Sequence, residues 1–222
     1  MEEKIKGCIF DLDGVLTDTV PLHYKSWCLL GEEVGFSLTP DQNKKLKGKG
    51  RLDSLNLIIK ESNLNFSERE KEEMMEKKNR WFLEEIEQFS TENLFPGALD
   101  FLVHLTEKQI PFALASGSKN AKIILEKLGL QKMFQCIFDG NDVSLGKPDP
   151  ELFVKAADCL SLSDRAEIIV FEDSVAGIEA AHKGGFIAVG FGADPELKER
   201  AHLTIENWEG VDIEYLENRL FS

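Results

Sequence analysis

The stretch IKGCIFDLDG, residues 5–14, joins a short apolar run to two aspartates and a glycine. Residues 5–10 are typical of a buried strand. Asp11 and Asp13 lie two apart on an extended chain, so both carboxylates face one side, and Gly14 allows a sharp turn directly afterwards. Adjacent carboxylates repel unless a cation lies between them or one is protonated. The stretch therefore predicts a strand that ends at a magnesium-type site, with an ordinary acidic turn as the alternative.

From residue 96 onward the sequence alternates between two periodicities. The helical period predicts helices over 96–108, 119–128, 150–160 and 174–183. Short apolar runs between them predict strands over 111–115, 136–138, 167–171 and 187–191. Strands that alternate with helices indicate an α/β fold with a Rossmann-like, doubly wound parallel sheet.

The intervening residues, 18–92, follow the helical period throughout and predict four helices. Pro21 opens the first, and Thr39-Pro40 provides an N-cap and first helical residue for the second. The third carries an apolar stripe within 52–59. Ser67-x-x-Glu70 is a capping box for a fourth that runs to about Phe89. We therefore predict a core of residues 1–16 and 93–222 with an inserted four-helix cap, residues 17–92.

Ligands of doubly wound sheets bind beyond the carboxyl ends of the strands. Four polar groups of residues are predicted to meet there, namely Asp11 with Asp13, Ser116 to Asn120, Lys147, and Glu172 with Asp173. Free N–H groups at a helix start suit phosphate, and Pro148 and Pro150 stiffen the backbone around Lys147. Taken singly, these residues also fit helix capping by Ser118, Asp173 or Ser174 and an ordinary loop lysine.

The helical stretch adds a basic loop, Lys47-Gly48-Lys49-Gly50-Arg51, for which an anion contact and a solvated turn are both open. Lys78 falls within an apolar helix stripe, where it either extends to the surface or reaches toward a ligand. His23 lies one helical turn from Trp27 on an apolar face, which also fits a core histidine.

The chain has 222 residues and a net charge of −14, with 40 acidic and 26 basic residues. Such a charge disfavours nucleic acids and acidic membranes as partners. The four cysteines contain no CxxC pair, and we expect free buried thiols. With no evident signal peptide or membrane-length apolar run, a cytoplasmic monomer is the expectation.

Together these motifs resemble the haloacid dehalogenase superfamily. The stretches that carry the resemblance are DLDGVLTDT, LKGxxRxDSL at 46–55, LASxSKN at 114–120, Lys147-Pro148 and EDSxAGIxAA at 172–181. The resemblance implies Asp11 as a nucleophile that becomes phosphorylated and Asp13 as the general acid and base. It implies magnesium held by Asp11, Asp13 through its backbone carbonyl, and Asp173, with Glu172 nearby.

The same resemblance assigns a further set of residues to the phosphoryl group and the substrate. They are His23, Trp27, Lys47, Gly48, Arg51, Ser54, Lys78, Ser116, Gly117, Ser118, Lys119, Asn120 and Lys147. The helical residues resemble the branch that interconverts β-glucose 1-phosphate and glucose 6-phosphate through the 1,6-bisphosphate. A sugar-phosphate phosphatase of the superfamily is the main alternative, and a non-catalytic sugar-phosphate binding protein is a third.

Overall fold

The computed structural model describes residues 4–222. Within this range the strands form one parallel sheet in the order β3-β2-β1-β4-β5-β6. Their bounds are β1 Gly7–Phe10, β2 Phe112–Ala115, β3 Cys136–Phe138, β4 Ile168–Glu172, β5 Ile187–Phe191 and β6 Leu203–Ile205. This is the doubly wound order, and it confirms the predicted fold class. The first strand lies at the centre, with Ile9 paired to Ala113 on one side and Val170 on the other.

The four predicted helices follow β1, as α1 Val20–Val34, α2 Pro40–Lys44, α3 Arg51–Glu61 and α4 Glu68–Ile86. The predicted capping box forms between Ser67 and Glu70, and Thr39, predicted as an N-cap, forms a capping box with Gln42. The fourth helix ends at Ile86, earlier than the predicted Phe89. Phe89 extends the apolar pattern because it packs against the main core from the turn beyond the helix.

The remaining helices are α5 Ala98–Glu107, α6 Ala121–Lys127, α7 Glu151–Cys159, α8 Val175–Gly184, α9 Pro195–Arg200 and α10 Ile213–Leu220. The last two helices and β6 were not predicted. Short 3₁₀ turns precede α5 and β4, at Thr91–Asn93 and Arg165–Glu167.

Alternate residues of β1 enter two different apolar clusters. Phe10 packs in an aromatic group with Phe101, Phe171 and Trp208. Ile9 belongs to a second cluster that includes residues of α7 and α8. A third cluster lies among α1–α4. Because both faces of β1 are buried, the strand end that carries Asp11 has a fixed position.

The two chain crossings between the sheet and the helical stretch lie side by side. Leu16 accepts a hydrogen bond from the Phe95 N–H at 2.9 Å, and the Thr17 hydroxyl donates to the Asn93 carbonyl at 2.7 Å. The buried Trp208 indole N–H donates to the Val15 carbonyl at 2.8 Å. These bonds join both crossings to each other and to the C-terminal part of the chain.

The cysteines depart from the expectation of four free thiols. Cys8 and Cys28 are free, but Cys136 and Cys159 form a disulfide. The spacing of these two cysteines in the sequence does not indicate a disulfide, because the bond forms only when β3 and α7 pack together.

Among residues 4–222, none of the helices has the length and apolar character needed to cross a bilayer.

Candidate active site

The four predicted polar groups meet at the carboxyl ends of β1, β2 and β4, where α1, α3 and α4 face them across a cleft. Its empty volume is about 770 Å³, counting the open space at the mouth. The predicted residues that line it are Asp11, Asp13, His23, Trp27, Lys47, Gly48, Arg51, Ser54, Lys78, Ser116, Gly117, Ser118, Lys119 and Asp173. The predicted residues outside this lining are Asn120, Lys147 and Glu172, which are buried close by.

Lys147 is a buried cation between two buried carboxylates. Its Nζ donates to Asp11 Oδ1 at 3.0 Å and also to Glu172 Oε1. Burial would lower the pKa of Lys147, but Asp11 and Glu172 outweigh burial and raise it above its ordinary value. The lysine therefore stays charged and fixes the orientation of the Asp11 carboxylate.

Asp11, Glu172 and Asp173 form a compact acidic cluster in which one oxygen from each lies within 4.8 Å of the others. Burial and the neighbouring carboxylates raise the pKa of Asp11 well above its usual range, although Lys147 opposes them. Burial also raises the pKa of Asp173 to about 6, against the lowering effect of Lys47. Buried carboxylates that repel one another are stabilised by a cation, and an all-oxygen donor set suits magnesium. The residues present thus fit a divalent metal.

Because Gly14 has no side chain, the Asp173 carboxylate can lie close to the backbone that follows β1. A Cβ at this position would lie 2.1 Å from Asp173 Oδ2, and the residue has φ +81°. The glycine predicted to permit a turn therefore also leaves room for a carboxylate. Asp173 is further held by Lys47, whose Nζ donates to Oδ2 at 2.9 Å from the opposite side of the cleft.

Asp13 has different surroundings, which suit a proton-transfer role. Its Oδ1 accepts from the Thr19 hydroxyl and lies 3.8 Å from His23 Nε2, and its Oδ2 is 3.5 Å from the Ser116 hydroxyl. Burial raises the pKa of the Asp13 carboxyl, but His23, Thr19 and Lys147 together bring it below the ordinary value. Its side chain is not part of the three-carboxylate cluster.

Lys78 reaches inward, which answers the question that its position in the helix stripe left open. The side chain is buried, its Nζ lies 2.7 Å from His23 Nδ1, and it packs over the rings of Trp27 and Phe82. Burial lowers the pKa of Lys78 to about 7 and that of His23 to about 4. His23 is therefore neutral at pH 7. A protonated Lys78 donates to Nδ1, which leaves the Nε2 proton facing Asp13.

The loop after β2 is ordered by hydrogen bonds within the protein. The Ser118 N–H donates to Ser116 Oγ at 3.2 Å, and the Ser116 N–H donates to the Phe138 carbonyl at 3.1 Å. Asn120 is the N-cap residue of α6, and Ser118 Oγ accepts from its N–H at 3.3 Å. Ser118 thus has a structural hydrogen bond and also lines the cleft.

Two contributing residues were missed. Asn79 Oδ1 accepts from Arg51 at 2.7 Å and from Asn120 Nδ2 at 2.8 Å, so it links α3 and α4 to the loop after β2. No spacing rule marks this asparagine, although it follows Lys78 directly. Thr19, the partner of Asp13, lies in the quoted DLDGVLTDT stretch, where its hydroxyl was the available signal.

Comparison with known proteins agrees with this geometry. Residues 5–185 match the haloacid dehalogenase-like hydrolase family, and the chain belongs to that family. It is 37% identical over 218 residues to a β-phosphoglucomutase of Bacillus subtilis, covering 92% of this chain and 96% of that one. It is 34% identical over 188 residues to a phosphorylated carbohydrates phosphatase of Thermotoga maritima, covering 82% of each.

Among solved structures, a β-phosphoglucomutase from Clostridium difficile superposes with a TM-score of 0.91 at 34% identity. The match covers 97% of both chains. The chain is therefore an enzyme-family member whose relatives include both mutases and phosphatases.

Proposed function

We propose that this protein is a β-phosphoglucomutase-type phosphotransferase that converts β-glucose 1-phosphate into glucose 6-phosphate through the 1,6-bisphosphate. The supporting observation is that cations lie on two opposite sides of the cleft. Lys147 is buried beside Asp11, just behind the lining, whereas Arg51 and Lys78 belong to the helices across the cleft. A bisphosphate has one phosphate for each place, and a mutase must accept it in both orientations.

In this proposal Asp11 attacks the phosphoryl group in line. Lys147 holds the attacking carboxylate and neutralises charge on the phosphoryl oxygens, and Ser116 donates a hydrogen bond to them. Magnesium, held by Asp11, Asp173, Glu172 and the Asp13 backbone carbonyl, would supply further neutralisation of negative charge during the transfer.

Asp13 moves the proton. It protonates the leaving sugar oxygen and then removes the proton from the hydroxyl that attacks phospho-Asp11. Thr19 and His23 lie beside Asp13 Oδ1 and fix the direction of its carboxylate. Because the pKa of Asp13 lies below its usual range, the carboxyl is ionised at neutral pH and free to accept the proton of the attacking hydroxyl.

Residues 17–92 would act as a closing cap that excludes water while Asp11 is phosphorylated. His23, Trp27, Lys47, Gly48, Ser54 and Lys119 would bind or position the sugar phosphate. The division into core and cap, the monomeric state and the cytoplasmic location all stay predictions.

The test supplies magnesium, β-glucose 1-phosphate and a trace of the 1,6-bisphosphate, and measures glucose 6-phosphate and free phosphate together. We expect glucose 6-phosphate to predominate, and Asp11→Asn to abolish its formation. Asp18→Asn, a change of an exposed carboxylate outside the cleft lining, should retain activity.

A sugar-phosphate phosphatase is the second candidate, favoured by the Thermotoga maritima relative. That enzyme would use the same Asp11 and Asp13, with water as the final acceptor. Release of free phosphate as the main product would establish it in place of the mutase.

A further inference from the structure

Two cysteines outside the cleft lining lie at the ends of one segment of the chain. Cys136 begins β3, an edge strand, and Cys159 ends α7. We propose that they form a reversible thiol–disulfide site, oxidised by low-molecular-weight disulfides, that closes the segment carrying Lys147 into a loop.

The positions of the two residues suit a disulfide bond. The two Cα atoms are 6.5 Å apart, within the usual range of about 4.4–6.8 Å for disulfides. Cys136 is only 7% exposed, whereas Cys159 is exposed to solvent. An attacking reagent can therefore reach the Cys159 sulfur first, with Cys136 as the resolving thiol beneath it.

The enclosed segment connects to the phosphate-binding groups at both ends. After β3, the Asn141 side chain donates to the Lys119 carbonyl at 3.3 Å, and the Phe138 carbonyl accepts from Ser116 N–H. In α7, the Phe153 ring lies 5.0 Å from Lys147 Nζ. Closing the loop therefore restrains both the Ser116 loop and the support of Lys147.

The other cysteines lack these features. Cys8 is fully buried in β1, and burial raises the pKa of its thiol. Cys28 is free and lies on α1, where its Sγ is 4.0 Å from the Leu38 carbonyl oxygen. They provide internal controls for the reactivity of the pair.

The proposed reaction balances with oxidised glutathione as the oxidant. The Cys159 thiolate attacks one glutathione sulfur, which breaks the S–S bond and releases one glutathione thiolate. The Cys136 thiolate then attacks the Cys159 sulfur of the mixed disulfide and releases the second. Two protein thiols become one disulfide, and two glutathione thiols leave with the two protons.

The experiment treats the full chain with oxidised or reduced glutathione, alkylates it in denaturant and maps the labelled peptides. We expect four labelled cysteines after reduction and two, Cys8 and Cys28, after oxidation. Oxidation should raise Tm by roughly 4–10 °C, because it constrains the unfolded chain. Amide hydrogen exchange over residues 139–150 should slow at the same time.

Variants test whether the Tm shift requires this pair of cysteines or follows from oxidation of any thiol in the protein. Cys159→Ala, a change at an exposed position, should remove the Tm shift and leave the reduced Tm near that of the reduced parent. Cys28→Ser should retain the full shift. Should Cys159→Ala not fold, the peptide map of the parent protein decides alone. Four labelled cysteines after oxidation, a disulfide between other positions, or unchanged exchange around Lys147 would each overturn the proposal.

Discussion

Lys78 holds a buried ammonium group in the wall of the cleft. Burial and the nearby Arg51 lower its pKa to about 7, whereas Asp13 acts in the opposite direction. In the unfolded chain the pKa is about 10.4. Between those values the unfolded state binds a proton that the folded state has released, so the stability contributed by this residue rises with pH. Below pH 7 Lys78 is protonated in both the folded and the unfolded state, so the folded state bears the full free-energy cost of burying the charge.

We therefore expect Lys78→Met to raise Tm at pH 6 by roughly 2–6 °C and to have a smaller effect at pH 9. The same variant should raise KM for the sugar phosphate, because it removes a cleft cation and the donor to His23. Thermal unfolding at both pH values, with steady-state kinetics, tests both effects. Lys77→Met is the matched control, since Lys77 pairs with Glu33 at the surface. Equal pH dependence in the two variants would contradict the assignment to Lys78.

Asp13 provides a second prediction at the residue scale. Asp13→Asn keeps the size of the side chain and removes the proton acceptor. We expect kcat to fall by about 10²–10⁴-fold, whereas magnesium affinity stays close to that of the parent. Calorimetric titration of magnesium beside turnover measurements separates the two. A large loss of magnesium affinity would show that the Asp13 carboxylate itself binds the metal.

At the scale of elements, the first turn of α8 supports the acidic cluster that contains Glu172. Ser174 is the N-cap residue of helix α8, and its hydroxyl accepts from the Gly177 N–H at 3.1 Å and donates to Glu172. A Cβ on Gly177 would lie 1.9 Å from the Glu172 Cδ atom. The first turn of α8 therefore needs glycine, because the buried carboxylate occupies the space of a side chain.

We expect Gly177→Ala to destabilise the fold by about 1–3 kcal/mol through overpacking and to weaken magnesium binding. Urea unfolding and magnesium titration measure the two effects. The double variant Gly177→Ala/Glu172→Ala relieves the steric conflict and should recover part of the lost stability. Simple additivity of the two losses would argue against a direct clash.

The elements also show which signals the sequence carries. Apolar periodicity and capping residues located the strands and α-helices from β1 to β5, but not the two 3₁₀ turns among them. The strand β6 and helices α9 and α10 were missed although the two helices carry local signals. Asp194 and Asp212 cap them, and α10 buries Ile213 and Leu216 on one face.

At the site, residues adjacent to strand ends were predictable because parallel strands end at one edge of the sheet. Contacts that depend on how separate elements of the fold pack against one another were not predictable. The Asn79 bridge and the Cys136–Cys159 pair belong to this second group, because each joins residues whose proximity only the assembled fold determines.

For the whole molecule, Asn79 provides a direct link between the helical stretch and the sheet. We expect Asn79→Ala to loosen this link, raise KM and increase free phosphate relative to sugar phosphate product. Water would then reach phospho-Asp11 more easily. Asn56→Ala, on the exposed side of α3, is the control. An unchanged ratio of the two products in the Asn79 variant would contradict a role in excluding water.

The paired crossings beside Trp208 determine how the two halves of the cleft can move. Leu16 and Phe95 are bonded to each other, and Val15 is bonded to the indole, so neither crossing can shift alone. We therefore expect a rotation of the helices to turn about an axis near this junction. Asp13 and Thr19 lie close to it along the chain, so in the proposed mechanism they would move less than Arg51 and Lys78. Opening would then release the distal phosphate with little movement of Asp13.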